Sequence, residues 1–114
     1  MSPFNALRAP VAWRELREKK LEGPQEGTRR ELLVSLGRAA GFELEFPKEL
    51  RRPEQTWLEG KFRLHSRGGS ASVLSEIERL TNVQGMQFVL EGRRIRVLGV
   101  REAWAFWTRW QAEN

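Results

Sequence analysis

The side chains that could perform catalysis or bind a metal are few in this sequence and stand apart from one another. The chain of 114 residues has no cysteine and one histidine, His65. Disulfides, thiolate metal sites and cysteine nucleophiles are therefore excluded. A zinc site needs several nitrogen or sulfur ligands, so a lone histidine on the alternating stretch 61–65 is better interpreted as a surface residue.

Serine and glutamate offer no better arrangement. No nucleophile elbow surrounds the serines between residues 66 and 75. The segment 68–70, Gly-Gly-Ser, could cradle a phosphate before a helix. It lacks the lysine and glycine spacing of nucleotide-binding loops, and we interpret Ser70 as a helix cap. The acidic pairs that could do acid–base chemistry are interpreted as solvated: Glu43 with Glu45, and Glu76 with Glu78. The sequence thus predicts a non-enzymatic protein without catalytic residue, metal or cofactor.

The first clear element is a helix near residues 28–40. Residues 28–31, Thr-Arg-Arg-Glu, fit a capping box, apolar residues recur at helical spacing, and Gly41 is the expected stop. An alternating strand, 42–46, follows and ends at Pro47. Residues 47–56 are expected to form a polar loop, and 57–66 an extended segment.

The second half predicts a helix near 70–81 and a hairpin over 86–98. Apolar residues alternate on both hairpin strands, and Glu91-Gly92 stands where a two-residue turn belongs. We therefore expect an α+β fold with two helices on small mixed or antiparallel sheets, a C-terminal hairpin and helical terminal extensions. The predicted core is Leu33, Leu36, Phe42, Leu44, Phe46, Leu74, Ile77, Leu80, Phe88, Ile95 and Val97.

Three parts are expected along the chain: an N-terminal extension (1–20), an α+β domain (21–99) and a C-terminal helix (100–114). In the extension, Pro10 could begin a short helix that buries Trp13 and Leu16. Residues 20–22 could instead form a first strand.

The two halves of the predicted domain resemble each other at an offset of 44 residues. Residues 36–42, Leu-Gly-Arg-Ala-Ala-Gly-Phe, and 80–88, Leu-Thr-Asn-Val-Gln-Gly-Met-Gln-Phe, both contain a helix end, a glycine and an apolar strand. A common origin and the ordinary form of any helix-to-strand connection explain the pattern equally well.

The stretch from Leu21 to Leu98 resembles the short N-terminal domain of secretins and TonB-dependent receptors. That family shares this order of helix, glycine and strand, followed by an extended segment, a second helix and a hairpin. Related domains occur in phage baseplate hub proteins. The resemblance implies a protein–protein interaction module that docks within a larger assembly, such as a secretion system, pilus or phage tail.

A basic strand face provides the alternative function, nucleic-acid binding. The net charge is +5, and cationic side chains share the polar phase of two predicted strands. Such a face could bind phosphates. Its members are Lys61, Arg63, Arg93, Arg94 and Arg96. The aromatic residues of these strands alternate onto the opposite face, which weighs against base stacking.

The C-terminal segment 100–112 is the strongest candidate for a binding surface. Trp104, Trp107 and Trp110 are spaced three apart, and we predict one stripe with Phe106 outside it. The stripe either packs back on the domain, against Trp13 or Trp57, or is presented to a partner, because tryptophan is enriched at binding hot spots. Expected partners are therefore a protein or a second copy, through this helix or a sheet edge; membrane insertion is not expected.

The N-terminus does not read as an export signal, which predicts a cytoplasmic protein, or a periplasmic one if the chain is a processed fragment.

Overall fold

The protein has an α+β fold, as predicted. A computed structural model describes residues 2–22, 25–64 and 71–113. Its elements are α1 (Ser2–Arg8), α2 (Pro10–Glu18), β1 (Gln25–Thr28), α3 (Arg29–Ala39), β2 (Glu43–Glu45), α4 (Arg52–Glu59), β3 (Lys61–Leu64), α5 (Val73–Asn82), β4 (Gln87–Glu91), β5 (Arg94–Leu98) and α6 (Val100–Glu113).

The strands form two small sheets. In the first, β1 pairs with β3 in antiparallel orientation. In the second, β5 is central, with β2 parallel to it on one side and β4 antiparallel on the other. The predicted hairpin is confirmed, but its turn is Gly92-Arg93, since Glu91 still pairs with Arg94. Gly92 has a φ of 59°, which suits the first turn position of a tight hairpin because glycine lacks a Cβ.

The predicted helix caps are partly right. The Thr28 side chain accepts from the Glu31 amide, and the Glu31 carboxylate accepts from the Thr28 amide. Hydrogen bonds that the Glu31 carboxylate accepts from Thr28, first from its backbone amide and then from its side-chain hydroxyl, lower the pKa of Glu31 below its ordinary value of 4.5. The cap of α5 is Ser72 rather than the predicted Ser70, which lies outside the described residues.

The offset of 44 residues recurs in the backbone hydrogen bonds. After α3, the amide of Phe42 donates to the Gly37 carbonyl at 2.8 Å. After α5, the amide of Met86 donates to the Thr81 carbonyl at 3.1 Å. The glycine between helix and strand has a positive φ in both halves, 81° at Gly41 and 75° at position 85, so both helices end in the same left-handed motif.

The main core lies between α3, α5 and the two sheets. Of the predicted core residues, Leu44 and Phe46 are only partly buried, and the others are at least 95% buried. The core also takes Leu16 from α2 and Leu58 from α4, both fully buried. The helix predicted at Pro10 therefore exists, whereas the alternative strand at 20–22 is reduced to one bridge between Lys20 and Ser72.

Two expectations about the middle of the chain are only partly right. Residues 52–59 form α4, so the loop expected over 47–56 ends at Arg51, and the extended segment expected over 57–66 is confirmed only at β3, Lys61–Leu64. Pro53 stands in the first turn of α4, where its missing amide hydrogen costs nothing. Glu54 at the third helical position accepts from the Arg51 amide, which is a helix-start signal that the polar composition concealed.

Candidate interaction surfaces

The aromatic face of α6 differs from the predicted stripe. Residues three apart on a helix are about 60° out of phase, so Trp104 and Trp110 diverge by about 120°. Trp104 is 73% exposed, while Trp107 and Trp110 are half-buried. The face that packs on the domain follows the spacing i, i+3, i+4 and i+7, and consists of Ala103, Phe106, Trp107 and Trp110. Phe106, expected outside the stripe, is therefore part of it.

The packed face of α6 meets α1, a helix that the sequence did not indicate. The ring of Phe4 lies edge-on to Phe106, with centroids 4.9 Å apart, and edge-on to Trp110 at 5.6 Å. Trp107 stacks on Trp110 at 5.0 Å. Buried Val89 and Leu98 complete this second apolar cluster, which covers the face of the three-stranded sheet opposite the main core.

Neither tryptophan expected beside α6 belongs to this cluster. Trp13 packs against the main core. Trp57 donates from its ring nitrogen to the Leu80 carbonyl at 2.8 Å and carries the Arg29 guanidinium 3.7 Å above its ring. Arg29 also lies 4.9 Å from the Phe62 ring, and its buried Nε has no hydrogen-bond partner among the described residues. The sequence did not indicate this cation–π stack.

The predicted basic face is divided between the two sheets. Lys61 and Arg63 lie on β3, whereas Arg94 and Arg96 lie on β5. Arg63 forms an ion pair with Glu26 at 2.9 Å across the first sheet. The positive charges of β3 and β5 therefore belong to two different sheets.

On β5 the arginines are matched by carboxylates. Arg94 pairs with Glu45 of β2 at 3.1 Å, and Arg96 pairs with Glu91 of β4 at 3.2 Å. The register also places Glu43 opposite Arg94. This open part of the sheet thus presents three carboxylates and two guanidinium groups, so it has no excess of positive charge for a polyanion.

The Arg93 side chain is engaged in contacts with other parts of the protein. Its guanidinium donates to the Ala40 carbonyl at 2.9 Å and the Gly41 carbonyl at 3.2 Å, and it pairs with Glu15 of α2. It also lies 4.0 Å from the Phe42 ring. A cation at the carbonyl end of α3 stabilises that helix terminus, so Arg93 ties the hairpin to α2 and α3.

A groove of about 560 Å³ lies beside the start of α6. At its base, the 1% exposed Glu54 accepts from Arg51 Nε at 2.7 Å and from the Val100 amide at 3.1 Å. A carboxylate at this position caps α6 and complements the helix dipole. The charges lining the groove balance, with Lys48, Arg51, Arg96 and Arg101 against Glu45, Glu49, Glu54 and Glu102.

The acidic pairs differ from each other. Glu43 and Glu45 are exposed, as predicted. Glu76 is 8% exposed and accepts from Arg79 at 2.6 Å, so the interpretation of the second pair as solvated is wrong.

His65, Ser66 and the segment 68–70 lie outside the described residues. Within residues 2–22, 25–64 and 71–113, no cluster of three or more His, Cys, Asp or Glu side chains could hold a metal ion.

No family model, curated protein or solved structure matches this chain. Among the described helices, none combines the length and the apolar character that a membrane span requires.

Proposed function

We propose that this domain is a non-enzymatic protein-interaction module that docks within a larger assembly, with Trp104 at the centre of its contact. The observation that carries the proposal is the 73% exposure of the Trp104 ring. Exposing most of an indole ring to water costs free energy, and burying the ring against a partner recovers it. Ala103 anchors the same helical turn in the domain, so the ring is held on a rigid element.

Two further observations support this proposal. Apart from α4, which is inserted between β2 and β3, the order α3, β2, β3, α5, β4 and β5 follows the order of elements in the secretin and TonB-receptor domain that the sequence resembles. The ion pairs of Arg63, Arg94 and Arg96 reduce the attraction of these strands for a polyanion, which favours a protein partner over nucleic acid.

The test compares Trp104→Ala with Leu7→Ala as a matched control, because Leu7 is a similarly exposed apolar side chain, at 70%. Each protein is used to capture partners from an extract of its native host, with and without nuclease treatment. We expect the wild type and Leu7→Ala to retain the same protein and Trp104→Ala to lose it. Retention by all three chains contradicts the role of Trp104. Capture that nuclease abolishes, and that falls steeply with salt, favours the nucleic-acid alternative.

A further inference from the structure

One side chain of α1, that of Asn5, forms hydrogen bonds with the backbone of β4 at the edge of the three-stranded sheet. The Asn5 amide nitrogen donates to the Phe88 carbonyl at 2.8 Å, and its amide oxygen accepts from the Leu90 amide at 3.0 Å. Asn5 is 1% exposed. A carbonyl and the amide two residues later are the groups that an edge strand offers to a neighbouring strand. The Asn5 carboxamide therefore takes the place of a peptide group from another strand.

The helix that carries Asn5 has few attachments. With seven residues, α1 is too short to be stable by itself. Its described anchors on the sheet and on α6 are the Asn5 bonds and Phe4, whose ring packs on Phe106 and Trp110. It also contacts α2, and the Ala9 amide donates to the Asn5 carbonyl at 2.9 Å. Ala9, which separates α1 from α2, is non-helical, because a residue before proline disfavours the helical region. The break at Ala9 is a place where α1 can swing without disturbing α2.

We propose that α1 is a detachable cover of the β4 edge, and that the uncovered edge pairs with β4 of a second copy of this chain. The pairing is antiparallel about a twofold axis at Val89. Phe88 of one copy then faces Leu90 of the other, which uses the same backbone groups that Asn5 holds. Two three-stranded sheets become one continuous sheet. This inference does not depend on the role of Trp104.

The sequence of β4 is complementary to itself in that register. Val89 meets its own copy on one face, and the apolar Phe88 and Leu90 side chains meet on the other. Gln87 faces Glu91 at each end, so the only ionisable side chain of the strand is opposite an amide rather than a second carboxylate. Like charges directly opposite would destabilise the pair, and this register avoids them. The strand is therefore complementary to a second copy of itself in this register.

The first experiment releases α1 in the full-length chain. In Asn5→Asp the carboxylate can accept from Leu90 but cannot donate to the Phe88 carbonyl. Phe4→Ala weakens the other anchor and leaves Asn5 intact. Sedimentation velocity should show a concentration-dependent dimer in both variants, beyond any association of the wild type or of Leu7→Ala, whose exposed side chain provides the control. Circular dichroism should show retained secondary structure and a cooperative melt.

Two results of that experiment would overturn the proposal. One is that both variants remain folded and associate no more than the wild type. The other is that both lose the cooperative melt, because α1 would then be an inseparable part of the fold. A failure of either kind leaves the Trp104 proposal standing, since that side chain is not part of the β4 edge.

The second experiment tests the register. Two double variants combine Asn5→Asp with Gln87→Lys or with Gln87→Glu. The lysine places an opposite charge, and the glutamate a like charge, beside Glu91 of the other copy at two symmetric positions. The dimer dissociation constants of the two double variants should differ by at least about fivefold, with the lysine variant tighter. Equal constants would show that the copies do not pair in this register.

Amide hydrogen exchange tests the cover in the wild type itself. The Leu90 amide is bonded to Asn5 and becomes free whenever α1 detaches, whereas Val89 faces Arg96 within the hairpin. We expect Leu90 to exchange at least about tenfold faster than Val89. Equal protection at the two amides would contradict a detachable α1.

Discussion

The two apolar clusters differ in how their members are distributed along the chain. The main core joins α3, α5 and their neighbouring strands, and each helix packs beside the strand that follows it. The second cluster joins Phe4, near one end of the chain, with Phe106 and Trp110, near the other. The first combines such short-range contacts with longer-range ones, for example of α2 with α5 and of β2 with β5. The second has to close a loop of nearly the whole chain, whose entropy opposes it. We therefore expect the main core to determine global stability and the second cluster to open locally.

Core truncation should have the largest effect. Leu36→Ala and Leu80→Ala remove side chains that are at most 1% exposed, and each should lower the free energy of unfolding by roughly 2–5 kcal/mol. Urea denaturation measures the loss. The two positions are equivalent at the 44-residue offset, so a large loss at one and none at the other would break the comparison between the halves.

The second cluster should be less costly to disturb. Phe4→Ala removes a ring that is 7% exposed. Because α1, which carries this residue, can detach, the substitution need not leave a buried cavity. The free energy of unfolding should fall by about 1–2 kcal/mol, and urea denaturation again measures this change. A loss as large as that of Leu36→Ala would mean that both clusters unfold as one unit.

Trp104 should contribute almost nothing to stability. Its ring is 73% exposed, so Trp104→Ala should change the free energy of unfolding by no more than about 0.5 kcal/mol. Trp110→Ala on the packed side of α6 is the control and should destabilise clearly. Equal effects at the two positions would contradict the division of the helix into a packed and an exposed side.

The smallest effect concerns pH. The pKa of Glu31 is lowered in the folded protein by the Thr28 cap, so its stabilisation is complete above the ordinary pKa of 4.5 and is lost as pH falls through the folded pKa. Glu31→Gln replaces the carboxylate by a neutral amide of the same shape, and it should cost more stability at pH 7 than at pH 3. Denaturation of both chains at these pH values measures the difference, and a pH-independent difference would contradict the assignment.

The sequence predicted the main core because its signals are local. Periodic leucines, the Thr28 cap and Gly41 identify α3 and β2 from adjacent residues, and alternation identifies the hairpin. It did not predict α1 or α4, whose short amphipathic patterns are obscured by arginine and proline. The spacing by three predicts the wrong surface of α6, because an α-helix has 3.6 residues per turn and residues three apart drift away from one stripe. The partner of that surface, Phe4, could not be found from local pattern because the contact spans nearly the whole chain.

The ion pairs could not be predicted either, for a different reason. Alternation placed Arg94 and Arg96 on the solvent face of β5 correctly, but their charge balance depends on which strands lie on each side. The parallel pairing of β2 brings Glu45 within 3.1 Å of Arg94. A strand that is basic in the sequence therefore contributes no excess of positive charge in the sheet, and this depends on the order of the strands.

The position of α1 in the chain also affects biosynthesis. Asn5 precedes Leu90, its backbone partner, by 85 residues. At the usual rate of translation, the ribosome completes α1 about 4–17 s before β4 is made. The helix that covers β4 has therefore been made before β4 leaves the ribosome, and it can protect the strand edge of each nascent chain from pairing with that of its neighbours on the same messenger RNA.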